Sequence, residues 1–198
     1  MSITYYNQNA EAYFAATAHA DLEELRSKFL ANIPAGGYIL DAGCGSGRDA
    51  LAFHRAGYQV TAFDASQEMC GLARQYTKLP IIQMAFQEMK WRDEFDGIWA
   101  CATLLHVPRK ELPDVCKLLA RALRVDGILY ASFKHGSGER VTDGRLFTDL
   151  IQPELQLLLR STGLTLLECW TNKDVRPGRG NEEWLNALAR RERLKFRR

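Results

Sequence analysis

The stretch Asp41-Ala42-Gly43-Cys44-Gly45-Ser46-Gly47 constrains the fold of this chain more than any other segment. It follows the short apolar run Tyr38-Ile39-Leu40 and leads into a helix that reaches about Arg55 and stops at Gly57. Three closely spaced glycines let the backbone turn tightly and let a ligand approach the main chain. The start of the helix directs free N–H groups into the same space. A strand that enters a helix in this way belongs at the carboxyl edge of an open α/β sheet, where such sheets bind ligands.

The rest of the chain repeats the alternation. Residues 58–63 read as a second strand ending on Asp64, and Ser66 caps a helix whose Met69, Leu72, Ala73 and Tyr76 share a face. Residues 80–84 and 95–101 read as the third and fourth strands. Leu112, Val115, Cys116, Leu119 and Leu123 recur at helical spacing, and Asp126-Gly127 turns the chain into a fifth strand over 128–133. Pro153 opens a helix that Gly163 closes. Two last strands, 164–170 and 183–189, flank a Pro/Gly loop and run antiparallel to each other. Ahead of the first strand, Asp21 with Glu24 reads as a capping box for a helix with Leu22, Leu25 and Phe29 on one face.

Strands alternating with single helices imply right-handed crossovers and a parallel sheet covered on both faces. The expectation is an α/β, three-layer sandwich with a mostly parallel seven-stranded sheet and an antiparallel last strand. One domain is expected over 1–198, with an N-terminal helical cap at 1–35 and a basic tail at 190–198.

Composition excludes several classes. Hydrophobic residues make up 46% and charged residues 25%, ordinary for a soluble globular chain. No apolar run approaches the length of a membrane span. Residues 1–20 are polar and lack the layout of a signal peptide, so a cytoplasmic setting is expected, with no membrane and no partner protein indicated. Five cysteines (Cys44, Cys70, Cys101, Cys116, Cys169) form no C-x-x-C pair, which predicts reduced thiols and no metal site. Residues 190–198 hold six basic side chains against one acidic, leaving the rest of the chain at −3. Such a tail can bind nucleic acid, but the body offers no matching basic excess, so a solvated end is the simpler reading.

Spacing discriminates among nucleotide-like ligands. The glycines at 43, 45 and 47 give G-x-G-x-G, whereas a pyrophosphate site prefers G-x-G-x-x-G. Asp41 would repel a pyrophosphate and suits a ligand with a cationic end. Asp64, 23 residues later, can accept both ribose hydroxyls of an adenosine. The block Leu40 to Gly47, together with Asp64 and Leu123-Arg124-Val125-Asp126-Gly127-Ile128-Leu129, resembles the class I methyltransferase family. Tyr5-Tyr6-Asn7-Gln8-Asn9-Ala10-Glu11-Ala12-Tyr13 is similar to the cofactor-capping segment of its small-molecule members, including tellurite-resistance-type enzymes.

The resemblance implies a Rossmann-like fold, S-adenosyl-L-methionine as cofactor, S-adenosylhomocysteine as product, and a small-molecule substrate. Carried over by position, Asp41, Ala42, Gly43, Gly45 and Gly47 line the methionine part of the cofactor and Asp64 the ribose. Ala65 and Met69 lie beside the adenosine, Phe86 lies along the adenine face, and Gln87 stands where the family often has an acid for the adenine amino group. Tyr6 and Tyr13 close over the cofactor, against the simpler alternative that they staple the first helix to the body. Cys101 touches the cofactor as a small residue and not as a nucleophile.

The loop after the fourth strand passes beneath the methyl group in this family, and His106 is its ionisable side chain before Pro108. It is expected as a base or a substrate-orienting group. Lys134, His135, Arg140 and Arg145 fall in a glycine-rich segment after the fifth strand, which reads as a mobile cover suited to an anionic substrate, with Arg176 and Arg179 able to join. Trp91, Trp99, Trp170 and Trp184 are expected in the core. The alternatives are a nicotinamide oxidoreductase, disfavoured by the glycine spacing, and an RNA or other nucleic-acid methyltransferase using the basic tail.

Overall fold

The structure is a computed structural model in which residues 2–176 and 181–192 are described. Three helices, α1 (Ser2–Gln8), α2 (Ala10–Thr17) and α3 (Glu23–Leu30), precede the first strand. The strands and helices then alternate as β1 (Tyr38–Ala42), α4 (Arg48–Arg55), β2 (Gln59–Asp64), α5 (Gln67–Thr77), β3 (Ile81–Gln83), β4 (Phe95–Ala100) and α6 (Leu112–Ala122). After them come β5 (Leu123–Lys134), β6 (Gly138–Thr142), β7 (Arg145–Asp149), α7 (Gln152–Ser161), β8 (Leu164–Lys173) and β9 (Glu183–Arg191).

Seven strands form one sheet in the order β3-β2-β1-β4-β5-β9-β8. The pairings from β3 through β5 are parallel, and β9 runs antiparallel to both β5 and β8. This is the expected Rossmann-like sheet with its antiparallel last strand.

Successive strand residues point to opposite faces, and the core divides accordingly. Leu40, Ile98, Leu129 and Phe133 pack with Leu112, Val115, Leu119, Leu155 and Leu159 of α6 and α7 on one face. Ile39, Trp99, Tyr130 and Leu188 pack with Phe29 of α3 and Phe53 of α4 on the other. Ala62 and Ile81 meet Cys70 and Ala73 of α5. Three layers result, and each half of the core removes a continuous apolar surface from water.

Several boundaries differ from the sequence-based expectation. Asp126, at φ 66°, and Gly127 lie inside β5, which starts at Leu123. The register shifts between Phe95 and Gly97 there, so the pair makes an irregularity in the strand and not a separate turn. The glycine-rich segment after β5 is an ordered hairpin, β6–β7, turning through Asp143 (φ 50°) and Gly144 (φ 73°). Two positive φ values in a two-residue turn are those of a primed hairpin turn, which Asp-Gly favours. Asp21 accepts from the Glu23 N–H at 2.8 Å and the N-cap is Leu22, so the expected capping box does not form. Arg190 and Arg191 belong to β9, with Arg191 bonded to Asp93 and to the Leu123 carbonyl; the rest of the expected basic tail lies outside the described residues. Among the described residues no helix is long and apolar enough to cross a membrane.

Candidate functional site

The sheet order reverses between β1 and β4, and such a switch point leaves a crevice at the strands' carboxyl ends. A cleft of about 870 Å³ opens there. Its floor is the turn after β1.

Asp41 ends β1 almost fully buried, and its Oδ2 has no hydrogen-bond partner. Burial pushes its carboxyl well above the usual carboxylate range, and the nearby Asp49 adds to the effect. Arg48 and the Ala50 N–H offset this only in part. A buried carboxylate oxygen without a donor is costly, so the site is suited to a ligand that brings one. Asp64, at the end of β2, accepts from the Ser66 N–H through Oδ1 and from the Gly45 N–H through Oδ2, each at 2.9 Å. Burial still raises its pKa against these bonds. Each carboxylate oxygen keeps a further lone pair for a ligand hydroxyl.

All three glycines have positive φ, but they serve different purposes. A Cβ on Gly43 would stand 2.0 Å from Thr103 Oγ1, so this glycine lets the loop after β4 close against the turn. A Cβ on Gly45 would meet only Tyr13, at 3.9 Å, so its main chain forms open cleft wall. A Cβ on Gly47 would stand 2.7 Å from Thr77 Cγ2, which places this glycine against α5. Ala42 is fully buried in the core. These two residues, expected to line the cofactor, therefore shape the turn from behind.

Ala65, Met69, Phe86 and Gln87 line one end of the cleft. Phe86 meets Phe63 edge-on at 5.3 Å, and Gln87 donates through Nε2 to Glu111 at 3.1 Å. Cys101 also lines the cleft; burial, with Asp49, pushes its thiol up to about 12, so it stays protonated and is a poor nucleophile.

Helices α1 and α2 also line the cleft. Tyr6 OH and His106 Nε2 are 2.7 Å apart, the Leu146 N–H donates to Ser2 Oγ at 3.0 Å, and Ser66 Oγ donates to Asn7 Oδ1 at 2.7 Å. The rings of Tyr6 and Tyr13 meet edge-on at 4.9 Å. No residue of α1 is buried, so these polar ties carry much of its attachment. Each contributes on the order of 1 kcal/mol.

His106 Nδ1 lies 2.6 Å from the Leu146 carbonyl, which can only accept, so Nδ1 carries the proton and Nε2 accepts from Tyr6. Burial lowers its pKa to about 4, with Arg145 adding and the Leu146 bond opposing. Both nitrogens of this neutral imidazole, expected as a base or a substrate-orienting group, are thus engaged within the protein.

The expected basic cluster is divided. Lys134 is buried, paired with Asp174 at 3.2 Å and with Glu182, and its Nζ lies 3.7 Å from the Trp184 ring centroid. Arg176 binds Asp174 at 2.6 Å; burial would raise the Asp174 carboxyl, but the bonds from Arg176 outweigh it and hold it low. His135 pairs with Glu183 at 3.1 Å on the rim. Arg140 and Arg145 lie on the hairpin, both over the Phe147 ring, with Arg140 bonded to Asp149 at 2.7 Å. Arg179 lies outside the described residues. Trp184, expected in the core, lines the cleft, whereas Trp99 is fully buried.

Sequence spacing gave no sign of the polar network beneath Asp41. Asp49 accepts from Arg26 (2.9 Å), from Arg48 through Nε (3.0 Å) and Nη2 (2.6 Å), and from Trp99 Nε1 (3.0 Å). Burial raises its pKa, but Arg48 and Arg26 together outweigh burial and the net shift is downward. Arg48 also donates to the Thr17 carbonyl at 3.2 Å, which joins the end of α2 to the cleft floor.

This fold is that of the class I, S-adenosylmethionine-dependent methyltransferases, and residues 39–127 match the family described as a methyltransferase domain. The chain is 30% identical over 141 residues to the putative methyltransferase YqeM of Bacillus subtilis, covering 65% of this chain and 57% of that protein. It spans little more than half, or less, of the length of the curated relatives it matches first. Among solved structures it is similar to the Burkholderia thailandensis 1,6-didemethyltoxoflavin-N1-methyltransferase, with bound 1,6-didemethyltoxoflavin and S-adenosylhomocysteine. That likeness has a TM-score of 0.77 and 24% identity, and covers 97% of this chain and 86% of the other. Magnesium protoporphyrin IX methyltransferase of Synechocystis PCC 6803, with bound S-adenosylmethionine, gives a TM-score of 0.73 at 17% identity and covers 96% and 95%. Residues 39–127 thus match a methyltransferase domain, within a fold shared with these solved methyltransferase structures.

Proposed function

We propose that this chain binds S-adenosylmethionine in the cleft and transfers its methyl group to a small molecule. The observation that carries the reading is the pairing of Asp41 and Asp64 around the glycine turn. Asp41 offers an unpartnered buried oxygen to a cationic group, and Asp64 sits one strand away with lone pairs for ribose hydroxyls. Two carboxylates on the cleft floor disfavour a pyrophosphate ligand and suit a sulfonium compound that also carries an ammonium.

When bound, the cofactor supplies a methyl group on a sulfonium that is open to in-line displacement, a reaction governed largely by positioning. The chain's own residues do the positioning. Asp41 and the main chain at Gly43 and Gly45 hold the amino-acid end, Asp64 the ribose, and Ala65, Met69, Phe86 and Gln87 the base. Tyr6 and Tyr13 cover the cleft, and His106 fixes the Tyr6 hydroxyl in place by accepting its proton in a hydrogen bond. Closure by α1 excludes water from a site whose charges are then strongly felt.

The substrate enters between the β6–β7 hairpin and the ends of β5 and β9, where the cleft is lined by Phe147 and Trp184. A space of this size and aromatic lining suits a small molecule. Titration with S-adenosylhomocysteine, followed by a screen of small methyl acceptors in the presence of S-adenosylmethionine, tests the reading. Failure to bind S-adenosylhomocysteine would remove it.

A further inference from the structure

The hairpin that overhangs the cleft carries a cation for which the protein supplies little negative charge. Arg145 opens β7 and is 8% exposed. Its guanidinium carbon lies 4.4 Å from the Tyr5 ring centroid and 5.2 Å from that of Phe147. Its Nε is buried without a hydrogen-bond partner. The carboxylate paired with it, Asp143, is 3.6 Å away at the hairpin turn, with its side chain 72% exposed.

Its neighbours in the cleft are better matched. Arg48 is bonded to Asp49, Lys134 to Asp174 and Glu182, Arg140 to Asp149, and Arg176 to Asp174. A solvent-exposed carboxylate at 3.6 Å, the neutral Tyr6 hydroxyl and the aromatic faces compensate a buried guanidinium only in part. The adjacent Leu146 carbonyl is the group that holds His106, so Arg145 stands beside the loop after β4 that closes on the glycine turn.

We propose that Arg145 binds the anionic group of the methyl acceptor, and that this acceptor is a small planar carboxylate. The planar fork of a guanidinium matches a carboxylate in shape and in its single charge, whereas one guanidinium leaves a phosphate dianion half neutralised. Phe147, Tyr5, Tyr6 and His106 surround the position with rings, which suits a flat apolar body behind the anion. Tyr5 lies on α1, so this helix covers the position of the anion. The assignment rests on the methyltransferase reading for its meaning, but not for its test.

Protein with and without saturating S-adenosylhomocysteine is titrated with 4-fluorobenzoate and with neutral 4-fluorobenzamide, followed by ¹⁹F NMR. The benzoate binds at least about tenfold more tightly than the amide, as expected for a charge-assisted pair. Arg145→Gln abolishes the difference, and Arg145→Lys, which keeps the charge but not the fork, falls between. Thermal unfolding separates a ligand site from a structural arginine: the Gln variant melts within about 2 °C of the parent or above it, because it loses an undercompensated buried charge. Equal binding of the two probes, no binding of 4-fluorobenzoate, or unchanged discrimination in Arg145→Gln overturns the assignment. So does a marked drop in melting temperature with discrimination retained. Loading with S-adenosylhomocysteine is read separately by calorimetry, so its failure counts against the methyltransferase reading alone.

Discussion

The hydroxyl of Tyr6 and the Nε2 of His106 lie 2.7 Å apart, and this bond ties the first helix to the loop after β4. Tyr6→Phe removes the donor and leaves Nε2 buried without one. The variant should lose about 1–2 kcal/mol of stability in urea unfolding and bind S-adenosylhomocysteine several-fold more weakly. Unchanged stability and affinity would mean that α1 is held by its other contacts.

The same histidine gives the fold a pH dependence of definite sign. Its folded pKa, about 4, lies below the ordinary 6.5, so the folded state favours the neutral ring. The stability it contributes is full above pH 6.5 and is lost as the pH falls toward 4, because the unfolded chain takes up the proton first. The full loss is up to about 3 kcal/mol. Denaturant unfolding at pH 7 and pH 4.5 measures it, and His106→Gln should flatten the slope between them.

Gly43 combines a φ of +75° with a Cβ position 2.0 Å from Thr103 Oγ1. Gly43→Ala should therefore cost about 1 kcal/mol in backbone strain and about 1–3 kcal/mol in overpacking, and should open the cleft floor. Pairing it with Thr103→Gly removes the clash but not the strain, so melting temperature recovers only in part. Full recovery would show that the backbone at Gly43 is not strained.

Much of the scaffold was legible because apolar runs and glycine punctuation are local. The runs Tyr38–Leu40 and 58–63, and the helical faces of Met69 and Leu112, carry their period in the sequence. The turn from Asp41 to Gly47 was legible for the same reason. The β6–β7 hairpin escaped, although Asp143-Gly144 is the signal for its turn; the charged and glycine-rich flanks suggested a loop. Partners far apart in sequence left no local sign. Tyr6 with His106, Arg26 with Asp49, and Lys134 with Asp174 meet only because separate elements pack, so the basic side chains after β5 looked free when most are paired.

Asp41 is raised by burial in the free protein, and a bound ammonium group favours its ionised form. Binding of S-adenosylhomocysteine in mildly acid buffer should therefore release protons, and affinity should fall as the pH is lowered. Calorimetry in two buffers of different ionisation heat measures the release, which Asp41→Asn should abolish. An unaltered proton balance in that variant would remove Asp41 from the ammonium site.

The most direct measurement is calorimetric titration of the protein with S-adenosylhomocysteine and, in parallel, with NADH, using Asp64→Ala as the second sample. Micromolar binding of S-adenosylhomocysteine is expected, about 8 kcal/mol in free energy, weakened at least about tenfold by the substitution and absent for NADH. No binding of S-adenosylhomocysteine, or binding indifferent to Asp64, would contradict it.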